Sequence, residues 1–546
     1  MKIQPIIPQN QQQNKQKDNT KFTGAYEVAT TALRWLDTNQ AWGANTVDLC
    51  SMVIPRTTVD FVNRGPEAGT ETARRESMGT INHASIGLYG TAAGMALASM
   101  LNSKYGVKAH KIFANDGTID ILSKYWSEAR KTSDEPQKYV KAFTDKVVDN
   151  IKLFNTDTDV ETGMIKLSKE AQQDVSKVLA DKLINSSEQT IDKETLKYLQ
   201  SVIVSDTGAE SKVVLEGFSK QADNSLKTLL GNLYNVSKTF MSEKVDSVFK
   251  SSDVVAENPF IKGLKSLNLK RSIAGLGIAA AIGMSTQPIN MYLTKKKTGS
   301  DGFVGVPGRE KDNTNGFKMM KLGSAAAFTA AALATITTKP AKLLSKLQFQ
   351  GVIPTVSQLK LVYGLTIASR LLAARDKDEL RESAVKDSLG FLNLLVLGAL
   401  VTKGIARACD KSLINVTKDG SKNFFKWLTN SSLKTRDEVL LSALKKQGVE
   451  TVKDGKAIPF KELVKLADKT TKGKLRVLSI AQLAGYIYSG VVLGIGVPKL
   501  NIYMTNKSEA KRKARLAEAE KNNSVQNGAQ NLMFKPQNLE FLSKNM

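Results

Sequence analysis

Charged residues interrupt this chain every few positions except in six stretches, and those stretches organise the rest of it. Graded against the roughly 18–20 apolar residues that cross a bilayer, they are unequal. Residues 477–498 and 272–294 are long enough, and both are flanked by Lys or Arg on either side. Residues 77–103 carry no charge, but Asn82, His83 and several glycines dilute them, leaving an apolar core from Ile86 to Leu101. Residues 388–402 are strongly apolar and short. Residues 322–338, mostly Ala and Thr, and 351–369, with Pro354 and Lys360, are weak spanning candidates. Gly90 and Gly94 stand four apart, as do Gly490 and Gly494, a spacing that lets helix backbones approach closely and could also join copies of the chain into a homo-oligomer. The competing reading makes all six runs buried helices of a large soluble α-helical core.

Between these runs the pattern predicts polar modules. Residues 1–23, rich in Gln, Asn and Lys, read as a disordered leader without a cleavable signal peptide. Residues 24–103 begin with an amphipathic helix over Gly24–Leu36 and reach the first apolar segment. Residues 104–271 alternate helical periods with breaks near Asn115, Ser133 to Pro136, Ser168, Asp192 and Asn224, and predict a soluble helical bundle. Asp157, Asp159 and Glu161 cluster in a loop there, but Val160 stands where a calcium loop needs Gly. Residues 272–402 hold apolar helical segments with basic loops. Residues 403–476 predict a helix over about 436–446, a hairpin turning on Asp454-Gly455 within about 449–460, and another helix near Phe460. An apolar helix over 477–505 and a basic helix with a disordered tail over 506–546 complete a mainly α chain, polytopic or re-entrant in a membrane, with helical polar inserts and one small β-hairpin.

Charge sharpens the picture only once it is divided. The net +26 comes to +1 over residues 1–103 and +1 over 104–270, while residues 271–546 hold 44 basic against 20 acidic residues, a net +24. A basic excess beside apolar segments points first to anionic membrane lipid. Tyr292 with Lys295, Lys296 and Lys297, and Tyr503 with Lys507, Lys511, Arg512, Lys513 and Arg515, are the candidate interface anchors. Both sets follow the same pattern: a Gly-rich helix, a proline (Pro288, Pro498), then Asn-x-Tyr-x-Thr. A proline there is expected to end or kink the helix. Basic flanks on both sides leave the orientation unread and favour some re-entrant segments.

The densest local cluster of charge is Arg64, Glu67, Glu71, Arg74 and Arg75, just before residue 77. Spacings of four make it a solvated helix face with i, i+4 pairs in the favoured reading, and a polar site at a membrane boundary in the sharper one. Two cysteines and two histidines leave little for metal or histidine chemistry, no cofactor fingerprint fits, and no motif carries a catalytic arrangement. The expected role is a non-enzymatic membrane scaffold or structural protein. The alternatives are a soluble, cytoplasmic basic helical protein that binds nucleic acid or assembles into something larger, and a small-solute transporter. The apolar runs lack the Asp or Glu that a transporter's ion relay would use.

Overall fold

The structure is a computed structural model and describes residues 29–36, 40–154, 164–215, 223–251, 257–416 and 423–533. The expected leader, the acidic loop at 155–163 and the last part of the tail lie outside these residues. Within them the chain is mainly helical, and seven helical rods run side by side in one layer. Rod α1 is built of Gln40–Asp48, a π-helical turn Leu49–Val53 and Ile54–Arg64; α2 is Pro66–Leu97, α3 Pro259–Thr298, α4 Asn315–Ile336 and α5 Val356–Ala373. Rod α6 joins Lys377–Leu392, a π turn Asn393–Leu397 and Gly398–Cys409, and α7 joins Lys469–Tyr488, a π turn Ser489–Gly496 and Val497–Met533.

Local chemistry sets their ends. Asn258 caps α3 by accepting hydrogen bonds from the amides of Phe260 and Ile261, with Pro259 at the first helical position. Thr355 and Gln358 close a reciprocal capping box on α5, and Asp376 and Asp468 cap α6 and α7. Gly299, in the left-handed region at φ 76°, stops α3.

Four of these rods (α3, α4, α6 and α7) are long and apolar enough to cross a membrane, and a fifth is counted if α2 is taken with the short helix Ser99–Tyr105, bent from it by 54°. The 315–336 helix, graded weak from sequence, is therefore among the candidates. Val356–Ala373 is not; its Arg370 is buried among neighbouring rods. The segment at 388–402 looks short only because the helix around it starts at Lys377 and ends at Cys409.

The outer surface separates the layer from the rest. Large apolar side chains stand exposed along the rods, among them Ile81, Leu88, Ile273, Ile278, Ile487 and Val491. No large apolar side chain is exposed among the described residues from 104 to 272. The first insert thus closes its own surface and the rods do not, while the second insert leaves only Phe424 and Leu466 exposed among its described large apolar residues. A buried soluble core would hide the apolar side chains of the rods, so their exposure weighs against that reading.

The rods alternate in direction. Short links at Gly65, residues 299–314 and Ala374 to Asp376 lie at one end of the layer, and both polar inserts emerge at the other. None of the rods turns back within the layer. The inserts merge there: Trp126, Phe143, Val175, Leu199 and Phe240 of the first share one hydrophobic core with Leu413, Leu440, Leu444 and Leu463 of the second. Helix starts at Asn115, Pro136, Ser168 and Asp192 fall where the breaks predict them. The second insert has the expected helix Arg436–Lys446 and a hairpin pairing Lys453 with Lys456 across Asp454 (φ 50°) and Gly455 (φ 70°). The first is not purely helical, however. It holds a four-stranded antiparallel sheet in the order β2-β1-β3-β4 (β1 Ile151–Phe154, β2 Met164–Lys166, β3 Ser211–Leu215, β4 Asp223–Ser225), and a second two-stranded ladder joins Ile414–Val416 to Ser431–Leu433.

A polar seam crosses the junction of the inserts. Glu210 donates its backbone N–H to Glu438 at 2.8 Å, its carboxyl accepts from the Thr435 hydroxyl at 3.3 Å, and Arg34 grips Asp437 with two bonds of 2.6 and 2.7 Å. Burial, with the Asp437 and Glu438 carboxylates beside it, pushes the Glu210 carboxyl well above the usual carboxylate range. The folded state therefore holds a proton that the unfolded state releases near pH 4, and stability falls as pH rises from there toward the raised pKa. Glu210→Gln should match the parent in apparent melting temperature near pH 4 and exceed it increasingly toward pH 8. A constant difference across that range would mean that Glu210 is ionised in the fold.

Candidate functional site

Proline and π turns set up the layer's tightest internal contacts. In α3, Pro288 sits inside a continuous helix and neither ends nor breaks it. Its missing N–H frees the carbonyl of Met284 four residues back, and the Ser369 hydroxyl of α5 donates to that oxygen at 2.5 Å. In α7 the π turn bonds the Val497 N–H to Val492 O, so Leu493 O would need an N–H that Pro498 lacks. Arg56 Nε of α1 donates to it at 3.3 Å. Here Gly490 and Gly494 face Ser51; a Cβ on Gly494 would lie 2.3 Å from the Ser51 carbonyl oxygen. Gly90 meets Gly275 in the same manner, and Gly94 seats the Arg271 guanidinium. These glycine faces are thus occupied within the chain.

At the linked end of the rods lies a buried ionic cluster. Glu76, on α2, accepts from Lys386 Nζ at 2.7 Å, Arg75 Nε at 3.2 Å and Arg370 at 3.4 Å, with Arg56 at 3.7 Å. Arg370 also reaches Asp387 at 3.0 Å and the Arg75 carbonyl at 3.2 Å. Beside it, Arg64 pairs with Glu382 and Asp60, and Asp60 accepts from Thr72 at 2.6 Å. Arg375 is gripped by Glu71 and Glu379, and the Phe303 ring lies beneath Arg64 and Arg375. Outermost, Arg309 ties Asp376, Asp378 and Glu509 together at 2.6 to 2.9 Å. Ions held this way have exchanged water for several charged partners each, an arrangement that is costly to leave half made.

Of the five charges singled out in sequence, Glu71 and Arg75 are buried, Arg64 nearly so, Arg74 donates to Asn290 at 2.8 Å and Thr294 at 2.8 Å, and Glu67 alone is exposed. The solvated-face reading is corrected: the face is covered by α3, α5, α6 and the 299–314 link, and its charges are satisfied by residues up to 318 positions away. Sequence reasoning missed Arg370, Arg375, Glu379, Lys386 and Asp387. Their one signal was a run of alternating charges from Arg370 to Asp387 beside an apolar segment.

The anchor candidates sit at this same end. Tyr292 and Tyr503 are 66% and 63% exposed, so both rings lie on the outer surface. Lys295 pairs with Asp301, Arg512 with Glu509, and Lys296, Lys297, Lys507, Lys511, Lys513 and Arg515 are exposed. The two Asn-x-Tyr-x-Thr patterns make matching contacts. Asn290 donates to the Glu71 carbonyl and Thr294 accepts from Arg74; Asn501 donates to the Glu382 carbonyl and Thr505 accepts from Arg381.

Farther inside the layer, a cavity of about 460 Å³ is lined by Asp48, His83, Tyr363, Asn393, Gln482 and Tyr486, with apolar side chains such as Met52 and Leu359. Asp48 accepts from Thr80 at 2.6 Å, and the His83 ring meets Tyr363 edge-on at 5.0 Å. Trp427 is buried beneath Lys403 and Arg407. Among the described residues no group of His, Cys, Asp and Glu is placed to hold a metal ion. Comparison with family models, with curated proteins and with solved structures finds no match for this chain.

Proposed function

We propose that this chain is an integral membrane protein with a non-enzymatic anchoring and scaffolding role. Its helical layer lies in the bilayer, with α1 and α5, too polar to cross alone, carried by the contacts of Asp48, Arg56 and Arg370 to neighbouring rods; its two inserts form one polar domain on one side, and its basic end faces anionic lipid on the other. The observation that carries this reading is the exposed apolar girdle concentrated on the rods, above a first insert that exposes none among the described residues from 104 to 272. The ionic cluster supports it. The cluster lies where α2, α3, α5 and α6 leave their apolar stretches, the depth at which charged and aromatic side chains meet headgroups. From Ala510 onward α7 continues past the other rods as a polar, basic helix, exposed over residues 510–523 and suited to lipid phosphates.

An odd number of crossings puts the inserts and the basic helix on opposite sides. The expected result is that carbonate leaves the protein in the membrane pellet. Protease added to sealed vesicles should then cut either the inserts or the 506–533 helix, never both. Release by carbonate, or cleavage of both regions in intact vesicles, would sink the proposal.

A further inference from the structure

A second cleft, of about 660 Å³, opens where the helical layer meets the first insert. One wall is the helix Leu226–Phe240, through Thr228, Gly231, Asn232 and Asn235. The opposite wall is the segment 350–356, tied down by the bond from Asn232 Nδ2 to the Gln350 carbonyl at 2.9 Å. Its chemistry is two-sided. Toward the layer it presents Met95, Phe113, Val352, Ile353 and Val356, and Met95, Val352 and Val356 remain about half exposed at the mouth. Toward the insert it presents His110, Lys111 and Lys227, and neither lysine has a carboxylate partner among the described residues. The surroundings are electropositive: burial, then Lys111, Arg271 and Lys108, hold the His110 imidazole below its usual value. Glu210 is the only carboxylate among the described lining residues, and its raised pKa weakens its opposition to an anion.

We infer that this cleft binds a long-chain amphiphile with an acidic headgroup, the acyl chain along Met95, Val352 and Val356 and the acid between Lys111 and Lys227. The volume falls within the roughly 300–1,000 Å³ of small-molecule sites. An apolar rim at the level of the exposed girdle, with two unpaired cations behind it, suits a molecule that is half lipid and half anion, and not a wholly polar solute. The inference rests on the membrane reading only for the supply of the ligand.

Gly231 gives a clean test, because a Cβ built there meets nothing within 4 Å. Gly231→Leu should fill the cleft while leaving the helix in place. Purified full-length protein in uncharged detergent would be titrated with fluorescent anthroyloxy-stearate, and the probe then displaced with stearate, phosphatidylglycerol or neutral stearyl alcohol. Expected are saturable binding by the parent, binding weakened about tenfold or more by Gly231→Leu, and weakening of stearate over stearyl alcohol by Lys111→Glu with Lys227→Glu. Displacement by stearate alone identifies free fatty acid as the source, and displacement by phosphatidylglycerol identifies membrane phospholipid; either supports the shared chemistry. Unchanged probe binding in Gly231→Leu, or stearyl alcohol competing as well as stearate, would overturn it. Probe binding by a protein that carbonate releases would refute the membrane reading and leave the cleft standing; carbonate retention without probe binding would do the reverse.

Discussion

Glu76→Gln is expected to cost about 3–5 kcal/mol, the range found when one partner of a buried ion pair is removed. The reason is the count of cations that depend on it. Lys386, Arg75, Arg370 and Arg56 all lie within 2.7 to 3.7 Å of this carboxylate. Their side chains are at most 10% exposed, so water cannot replace the lost charge. Glu135→Gln serves as the contrast. It removes the partner of Lys138 from a pair in which both side chains are 66% exposed, and should change stability by less than about 1 kcal/mol. The measurement is the apparent thermal midpoint of purified protein in detergent. Adding Lys386→Met to Glu76→Gln should recover part of the loss, because it removes one of the stranded cations. A Glu76→Gln protein as stable as its parent would mean that the cluster is hydrated, and would reopen the solvated-face reading of 64–76.

That failure of the sequence reading has a physical cause. Spacings of four show which residues share a helix face, but not what covers the face, and the covering groups Arg370, on α5, and Arg375, in the link after it, come some 300 positions later. Rod α1 escaped notice for a related reason. Asp48, Arg56 and Asp60 break its apolar run, yet all three side chains find partners inside the layer, so it needs no charge-free stretch. The four-stranded sheet was unreadable because its strands are three to five residues long and β1 pairs with β3 about sixty positions away. What was legible shares the opposite property. The apolar runs face outward, so nothing elsewhere in the chain has to complete their pattern; caps such as Asn115 and turns such as Asp454-Gly455 are decided within four residues. The matching Asn-x-Tyr-x-Thr patterns fall between these cases. The tyrosines were placed by local chemistry, whereas the roles of Asn290 and Asn501 on the carbonyls of Glu71 and Glu382 needed the fold.

Gly275→Ala and Gly277→Ala should differ sharply, although the residues stand two apart on one helix. A Cβ on Gly275 would lie 2.7 Å from Gly90 Cα, 2.9 Å from Gly90 N and 3.1 Å from the Phe349 ring, so backbone would have to yield. Overpacking of this kind costs about 1–3 kcal/mol, and more where no side chain can move aside. A Cβ on Gly277 meets nothing within 4 Å, and alanine there gains up to about 1 kcal/mol of helix propensity. The two variants should therefore move the apparent thermal midpoint in opposite directions. Equal effects would mean that α2 and α3 do not cross at Gly90. The Gly275 variant has a second consequence, because Gly90 and Phe349 lead directly to segment 350–356, which forms one wall of the cleft beside Asn232. Separating α2 from α3 moves that wall, whereas filling the cleft from Gly231 does not touch the crossing. Gly275→Ala is thus expected to lose stability and probe binding together, and Gly231→Leu to lose probe binding alone.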